Sequence, residues 1–487
     1  MSGPVSIGAR LAHLARERGE RPAVSDETRT VTWAELDRRA NRLARSLQAA
    51  GVSEGDLVTV GLRNSVDFVE ACYGLWKAGA TPQPVSWRLP AAEAQAVMDL
   101  AASPIVIAEE GFAAGGRPRH DISSLLALSA DESPVEDRIA PTWKAPTSGG
   151  STGRPKLILS GQAGVFTDLG TGVGPYQTKP DDVMIMPGPL YHNGPFTSGF
   201  GGLSQGAHLV ILPRFDPEAT LAAIDRWRGT WIYLVPTMMS RIWRLGEEVR
   251  ARYDVSSLRT VWHLAAPCPA WLKQAWIDWV GAETIWELYA GTEGQAVTVI
   301  TGPEWLAHKG SVGQVKFGEM AIFDEAGDPL PAGETGEIYM RRPAGAPPSY
   351  SYRGATARTL AGGWESLGDI GWFDEEGYLY LADRRADMIL VGGSNVYPAE
   401  IEAALEAHPL VASCAVIGLP DEDMGNAIHA IVQPRDGLAE GDLRAHLMDQ
   451  LVSYKQPRTY EFVEGPVRDD AGKVRRSALR AERMGVS

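Results

Sequence analysis

Apolar positions along the chain fall into two alternating periods. Thr32-Trp33-Ala34-Glu35-Leu36 has the form of a capped helix start, and apolar residues then recur at helical spacing through Leu43 and Leu47. Gly51 ends that segment, and Leu57-Val58-Thr59-Val60 reads as a buried strand. A second helix is predicted from Phe68 to Trp76, closing at Gly79. The alternation resumes after a glycine-rich stretch at 148–153 and continues to about Tyr289. Its clearest strand candidates are Leu209-Val210-Ile211-Leu212 and Trp231-Ile232-Tyr233-Leu234-Val235. This pattern predicts stacked sheets wrapped by helices.

From Gly310 to Leu381 the texture changes to short β-rich runs between turn residues, such as Gly336-Glu337-Ile338-Tyr339-Met340. A smaller module begins near Met388, with a helix near Pro398 to Glu406, a strand near Ala412 to Ile417 and a helix near Leu443 to Leu451. The charged pentapeptide Asp383-Arg384-Arg385-Ala386-Asp387 joins the two parts. The expectation is an α/β protein: a large N-terminal domain of stacked β-sheets with helices and a β-rich subdomain over 1–383, a joint at 384–387, and a small mobile α+β domain over 388–487.

Composition narrows the function classes. At 487 residues the chain exceeds what one hydrophobic core supports. Its formal net charge of −15 argues against a general nucleic-acid or anionic-membrane surface. An anionic ligand must then be met by a local device such as a helix N-terminus or a few placed Lys and Arg side chains. Cys72, Cys268 and Cys414 are odd in number, far apart and without metal-ligand spacing, which fits a reducing compartment. Met1 to Arg10 lacks a signal-peptide layout, and no run reaches the ~18 apolar residues of a membrane span. A soluble cytoplasmic protein is expected.

The strongest chemical signal is Thr147-Ser148-Gly149-Gly150-Ser151-Thr152-Gly153-Arg154-Pro155-Lys156. Its glycines let backbone N–H groups approach a ligand, and its hydroxyls and Lys156 add donors for polyphosphate oxygens. A flexible linker has similar composition. Pro-Lys directly before the strand candidate Leu157-Ile158-Leu159 favours the phosphate loop, one without Walker A spacing.

This loop resembles the signature Thr-Ser-Gly-Thr-Thr-Gly-x-Pro-Lys-Gly of the adenylate-forming superfamily: acyl-CoA synthetases, adenylation domains and luciferases. Further motifs follow in the family's order. Pro189-Leu190-Tyr191-His192-Asn193-Gly194 is similar to the segment bordering the acyl pocket, and Ala265-Ala266-Pro267 to the small-residue turn against adenine. Tyr289-Ala290-Gly291-Thr292-Glu293 resembles Tyr-Gly-x-Thr-Glu, and Leu367-Gly368-Asp369 resembles Thr-Gly-Asp. Arg384 to Glu402 looks like the hinge and following glycine turn, and Gly472-Lys473 the C-terminal Gly-Lys motif.

The resemblance implies an ATP-, Mg²⁺- and coenzyme A-dependent acid–thiol ligase. Lys473 would bridge the carboxylate and α-phosphate, and His192 would contact the carboxylate. Glu293 would hold Mg²⁺, Tyr289 would stack on adenine, Asp369 would accept the ribose hydroxyls, and Arg384 would donate nearby. The loop residues Thr147, Ser148, Gly149, Gly150, Ser151, Thr152, Gly153 and Lys156 would cradle phosphates, with Ala265, Ala266, Pro267, Ala290, Gly291 and Thr292 around the nucleotide. Coenzyme A would meet Arg88, Gly392, Gly393, Ser394 and Arg458. Tyr191, His192, Asn193, Gly199 and Gly201 would line the acyl pocket, and Ala386 would be the pivot.

Asn193 stands where amino-acid-activating relatives tend to carry an ammonium-pairing Asp, so a plain acid is expected. The small residues between Asn193 and Gly206 suit either a wide cavity or close helix packing. The strings His263-Leu264-Ala265-Ala266-Pro267-Cys268 and Gly392-Gly393-Ser394-Asn395 look like bile-acid and steroid-type CoA ligases, pointing to a polycyclic or terpenoid acid ahead of fatty or aryl acids. Departures at Gly150, Leu157, Ala290 and Ala386 admit a protein that performs thioester formation alone. The same residues are compatible with an enzyme loading a carrier protein, and with a non-catalytic nucleotide-binding interaction protein. A homodimer is compatible with the sequence.

Overall fold

The computed structural model describes residues 5–149, 155–166, 176–384, 387–391, 394–421, 423–448, 450–469 and 472–485. The capping box at Thr32 forms as its residue types dictate. The Glu35 amide donates to the Thr32 hydroxyl at 3.3 Å, the Thr32 amide donates to the Glu35 carboxylate at 2.8 Å, and the helix runs Trp33–Ala49. It packs against the helix Val66–Lys77, whose members are all buried except Asp67.

The centre is a 14-stranded sheet. Its parallel half places Trp231–Leu234 between Val183–Met186 and Thr260–Leu264, followed by Ile285–Ala290. Trp231–Leu234 and Thr260–Leu264 are buried at every position, as a sheet covered on both faces requires. A second, four-stranded parallel sheet contains Leu57–Gly61 and Thr81–Pro84.

The β-rich stretch does not form a detached sheet. Val297–Thr301 pairs antiparallel with Ile285–Ala290, and Ser311–Phe317 continues from it, so the antiparallel half is hydrogen-bonded into the same sheet. Gly313 shows why the crossing needs glycine. Its φ is +100°, and a Cβ there would lie 2.2 Å from the Val299 carbonyl oxygen.

The C-terminal part has its own core of Ile401, Leu405, Val416, Ile428, Leu443 and Leu447. Pro398–Glu406 and Glu440–Met448 are its helices, and Val411–Asp421 pairs antiparallel with Gly425–Pro434. This part meets the larger one through Arg244, whose guanidinium donates to the carbonyls of Glu406, at 2.6 Å, and Val411. Among the described residues no helix is long and apolar enough to cross a membrane.

Candidate active site

The phosphate-loop sequence folds as a hairpin base. Thr147–Gly149 pairs antiparallel with Pro155–Ser160, with Ser148 opposite Lys156. Gly150, Ser151, Thr152 and Gly153 lie outside the described residues, as does the side chain of Ser148. Tyr350–Arg353 pairs on the far side of Pro155–Ser160 and places Tyr352 beside Lys156. The Lys156 ammonium donates to the Tyr352 hydroxyl at 3.0 Å and reaches the Glu293 carboxylate at 3.3 Å. Tyr352 in turn donates to Glu293. Burial, and then that bond, push the Tyr352 hydroxyl well above its ordinary pKa, so it stays a donor.

Glu293 is buried at the turn following Ile285–Ala290. Gly291 sets its position: a Cβ there would stand 2.2 Å from Leu367 Cδ1 and 2.9 Å from Glu293 Oε2. Thr292 occupies the same turn. Among the described residues no group of three or more His, Cys, Asp or Glu gathers as a metal cage. A single buried carboxylate beside Lys156 nevertheless fits Mg²⁺, which takes one or two carboxylates and completes its shell with phosphate oxygens and water.

The nucleotide candidates converge on the end of the parallel half-sheet. Tyr289, one residue before the end of its strand, donates its hydroxyl to Asp369 at 2.7 Å. Asp369 lies on Trp364–Phe373, in register with Arg384 on Tyr378–Arg384. Ala265, just past Thr260–Leu264, has φ +75°, uncommon for a residue with a side chain. Ala266 and Pro267 complete this turn, and Ala265 and Pro267 are exposed.

Tyr191 and His192 precede the helix Asn193–Gln205. Loss of solvation, and then the charge of Lys473, push the His192 imidazole down to about 3, so it is neutral at physiological pH. The Gly472-Lys473 turn is docked on the large domain: a Cβ on Gly472 would fall 2.7 Å from Thr237 Oγ1. Arg475 also reaches Glu93 at 3.6 Å. The small residues of Asn193–Gln205 serve packing in part. A Cβ on Gly194 would strike the Tyr233 hydroxyl at 2.3 Å, and one on Gly202 the Met184 sulfur at 2.0 Å. Gly199 faces Leu190, Leu209 and Met186 from 3.5 Å outward, and a Cβ on Gly201 would meet nothing within 4 Å.

The coenzyme A candidates lie on separate segments of the chain. The Arg88 guanidinium lies over Trp87 at 4.4 Å, and Arg458 pairs with Asp421 at 2.9 Å. Ser394, itself exposed, opens the short strand Ser394–Val396, while Gly392, Gly393 and Ala386 lie outside the described residues.

Sequence reasoning missed two members. Tyr352 sits some 200 positions from Lys156 in a β-rich run that carries no motif. Lys144, 7% exposed, directs its ammonium to the Asn193 amide oxygen and, at 3.2 Å, to the Thr197 hydroxyl. Burial, only partly offset by the Glu293 charge, pushes it down to about 7. An isolated lysine before a glycine-rich loop gives no signal in sequence.

Comparison with known proteins follows the same layout. The profile of AMP-binding enzymes matches residues 11–350, and that of the AMP-binding enzyme C-terminal domain matches residues 400–473. The chain belongs to the AMP-binding enzyme family. It is similar to the feruloyl-CoA synthase of an Amycolatopsis species, with 32% identity across 97% of this chain and 98% of that one. The 2-succinylbenzoate–CoA ligase of Geobacillus kaustophilus is 31% identical over 95% of each chain. A Rhodococcus jostii ligase acting on a 7a-methyl-1,5-dioxo-octahydroindenyl propanoyl acid is 29% identical over 99% of each. The o-succinylbenzoate CoA synthetase of Bacillus subtilis bound to its acyl-adenylate superposes with TM-score 0.83, at 26% identity and 98% coverage of both chains. This AMP-binding enzyme is an AMP-forming acyl-CoA synthetase, an acid–thiol ligase using ATP and coenzyme A.

Proposed function

We propose that this synthetase activates a bulky ring-bearing carboxylic acid, with polycyclic or terpenoid acids first and aryl acids next. One observation supports the assignment of residues: the Gly472-Lys473 turn packs against Thr237 of the larger part. In this pose the acid's carboxylate attacks the α-phosphorus of ATP, and the bond to pyrophosphate breaks. Lys473 offsets the negative charge of the two converging anions, a contribution of the electrostatic kind that dominates such steps. Neutral His192 borders the carboxylate without adding a competing charge. Lys156 and the phosphate loop hold the polyphosphate, Tyr289 and the Ala265–Pro267 turn border adenine, and Asp369 accepts from the ribose. Mg²⁺ would be held by Glu293 together with phosphate oxygens, where it would neutralise charge. In the second half-reaction the coenzyme A thiolate attacks the acyl carbon and AMP leaves, after the small domain turns about 384–387 to present the turn around Ser394.

The ring-bearing class is supported by the acids named for the relatives, feruloyl, succinylbenzoate and a dioxo-octahydroindenyl propanoate. A carrier-protein thiol as acceptor is favoured by one resemblance, a fatty acid–[acyl-carrier-protein] ligase of Streptomyces coeruleorubidus at 30% identity. Acid-dependent pyrophosphate–ATP exchange with a panel of ring and linear acids tests the reading. Lys473→Ala should lower exchange by about 10²–10³-fold while retaining thioester formation from a supplied acyl-adenylate. Exchange untouched by the substitution sinks the Lys473 role, and a preference for short linear acids sinks the substrate class.

A further inference from the structure

Three lysines of the larger part are buried, and they differ in one respect. Lys77 donates to Asp37 at 2.6 Å, and Lys273 donates to Glu287 at 2.5 Å. Lys144 makes no ion pair among the described residues; its acceptors are the neutral Asn193 and Thr197 oxygens. The acidic group acting on it from a distance, Glu293, is held by Lys156 and Tyr352. Burying an ammonium without a counter-charge is costly, so such a group persists where a ligand completes it.

Placement shows what that ligand offers. Asn193 and Thr197 occupy successive turns on one side of Asn193–Gln205, directly after His192; with this helix read as a wall of the acyl pocket, the ammonium would lie beside the bound acid. An ammonium has three N–H groups, and two are used here. With its oxygen turned to Lys144, the Asn193 amide presents its NH₂ group, which has no protein acceptor among the described residues. Trp143, whose ring lies 4.9 Å from the ammonium and 5.5 Å from Phe196, supplies an apolar wall. Two kinds of donor beside aromatic rings make a site for an oxygen acceptor on a ring skeleton.

We propose that Lys144 is a specificity-determining residue that selects acids bearing a second oxygen acceptor, a ketone or a second carboxylate, near their activated carboxyl end. The inference rests on the reading of Asn193–Gln205 as a wall of the acyl pocket.

The test uses the full chain and matched alicyclic and aryl acids: each keto acid against its methylene analogue, and each diacid against its monomethyl ester. Pyrophosphate release gives kcat and KM separately. Wild type should prefer the oxygenated member of a pair by about tenfold in kcat/KM, and Lys144→Met should bring the ratio to within about threefold, chiefly through KM. Selectivity confined to diacids assigns a carboxylate, and selectivity confined to keto acids assigns a ketone. Lys144→Gln, which keeps a donor and much of the volume, carries the same test if the Met variant does not fold. Unchanged ratios in the variants overturn the proposal, as does an equal fall for both members of each pair together with a lowered melting temperature. Turnover without preference in wild type overturns it alone and leaves the ligase reading standing. No turnover with any acid overturns both.

Discussion

At the scale of the residue, the site is a set of ionisable groups whose surroundings fix their protonation. His192 in the site, and His208 outside it at the start of the strand His208–Ile211, are held neutral by burial, at about 3 and about 4 against an ordinary 6.5. The unfolded chain binds protons at both below about 6.5 and the folded chain does not. Their contribution to stability is therefore complete above that pH and is lost as pH falls toward 4. Melting temperature should drop between pH 7 and pH 5. Replacing His208, which bonds Ser25 at 2.8 Å, with Gln should flatten that slope; an unchanged slope would place the effect elsewhere. Tyr289→Phe removes the 2.7 Å bond to Asp369 and should raise the KM for ATP by about two- to tenfold, with little change in kcat, in steady-state assays.

At the scale of the element, the sequence patterns were most legible where one local rule sufficed. Thr32 and Glu35 announced a capping box, and the helix starts there. Leu57–Val60 and Trp231–Leu234 announced buried strands by continuous apolar runs. Glycines were harder to read, because freedom, closeness and cavity look alike in sequence. Gly194 and Gly202 serve close packing, Gly201 faces open space, and Gly291 keeps Glu293 in place. Gly291→Ala should displace Leu367 and Glu293 and cut acid-dependent exchange by at least about tenfold with the melting temperature little changed, since the turn lies at the site rather than in the core. Gly201→Ala, with nothing within 4 Å, should leave stability within about 0.5 kcal/mol by chemical denaturation.

At the scale of the whole molecule, the C-terminal part keeps a hydrophobic core separate from the main core of the larger part, and among the described residues Arg244 and Arg475 make polar contacts between the two parts. The small domain is organised by a buried charge network. Glu402 accepts from Arg468 at 2.8 Å and from Arg476 at 2.8 Å, and Arg476 also reaches Asp387 next to the joint at 2.7 Å. Glu402→Ala leaves two guanidinium groups short of their main partner and should cost roughly 3 kcal/mol, as breaking a buried pair does. Hydrogen exchange over 411–434 reads this locally; protection there equal to wild type would show the network to be dispensable.

The order of motifs along the chain, the alternation of apolar runs and the mixed charge determined the family, the α/β architecture and most candidate residues. These properties are local, since spacing, capping and strand burial are written within a few positions of one another. Tertiary structure decided what depends on residues distant in sequence. It joined the β-rich stretch to the parallel half as one sheet, through backbone pairing that no composition reveals. It brought Tyr352 to Lys156, and the Gly472-Lys473 turn to Thr237, by folding back segments far apart in the chain. It also buried Lys144 with no acidic partner among the described residues, because a lysine's charge balance is set by the walls around it rather than by its neighbours in the chain.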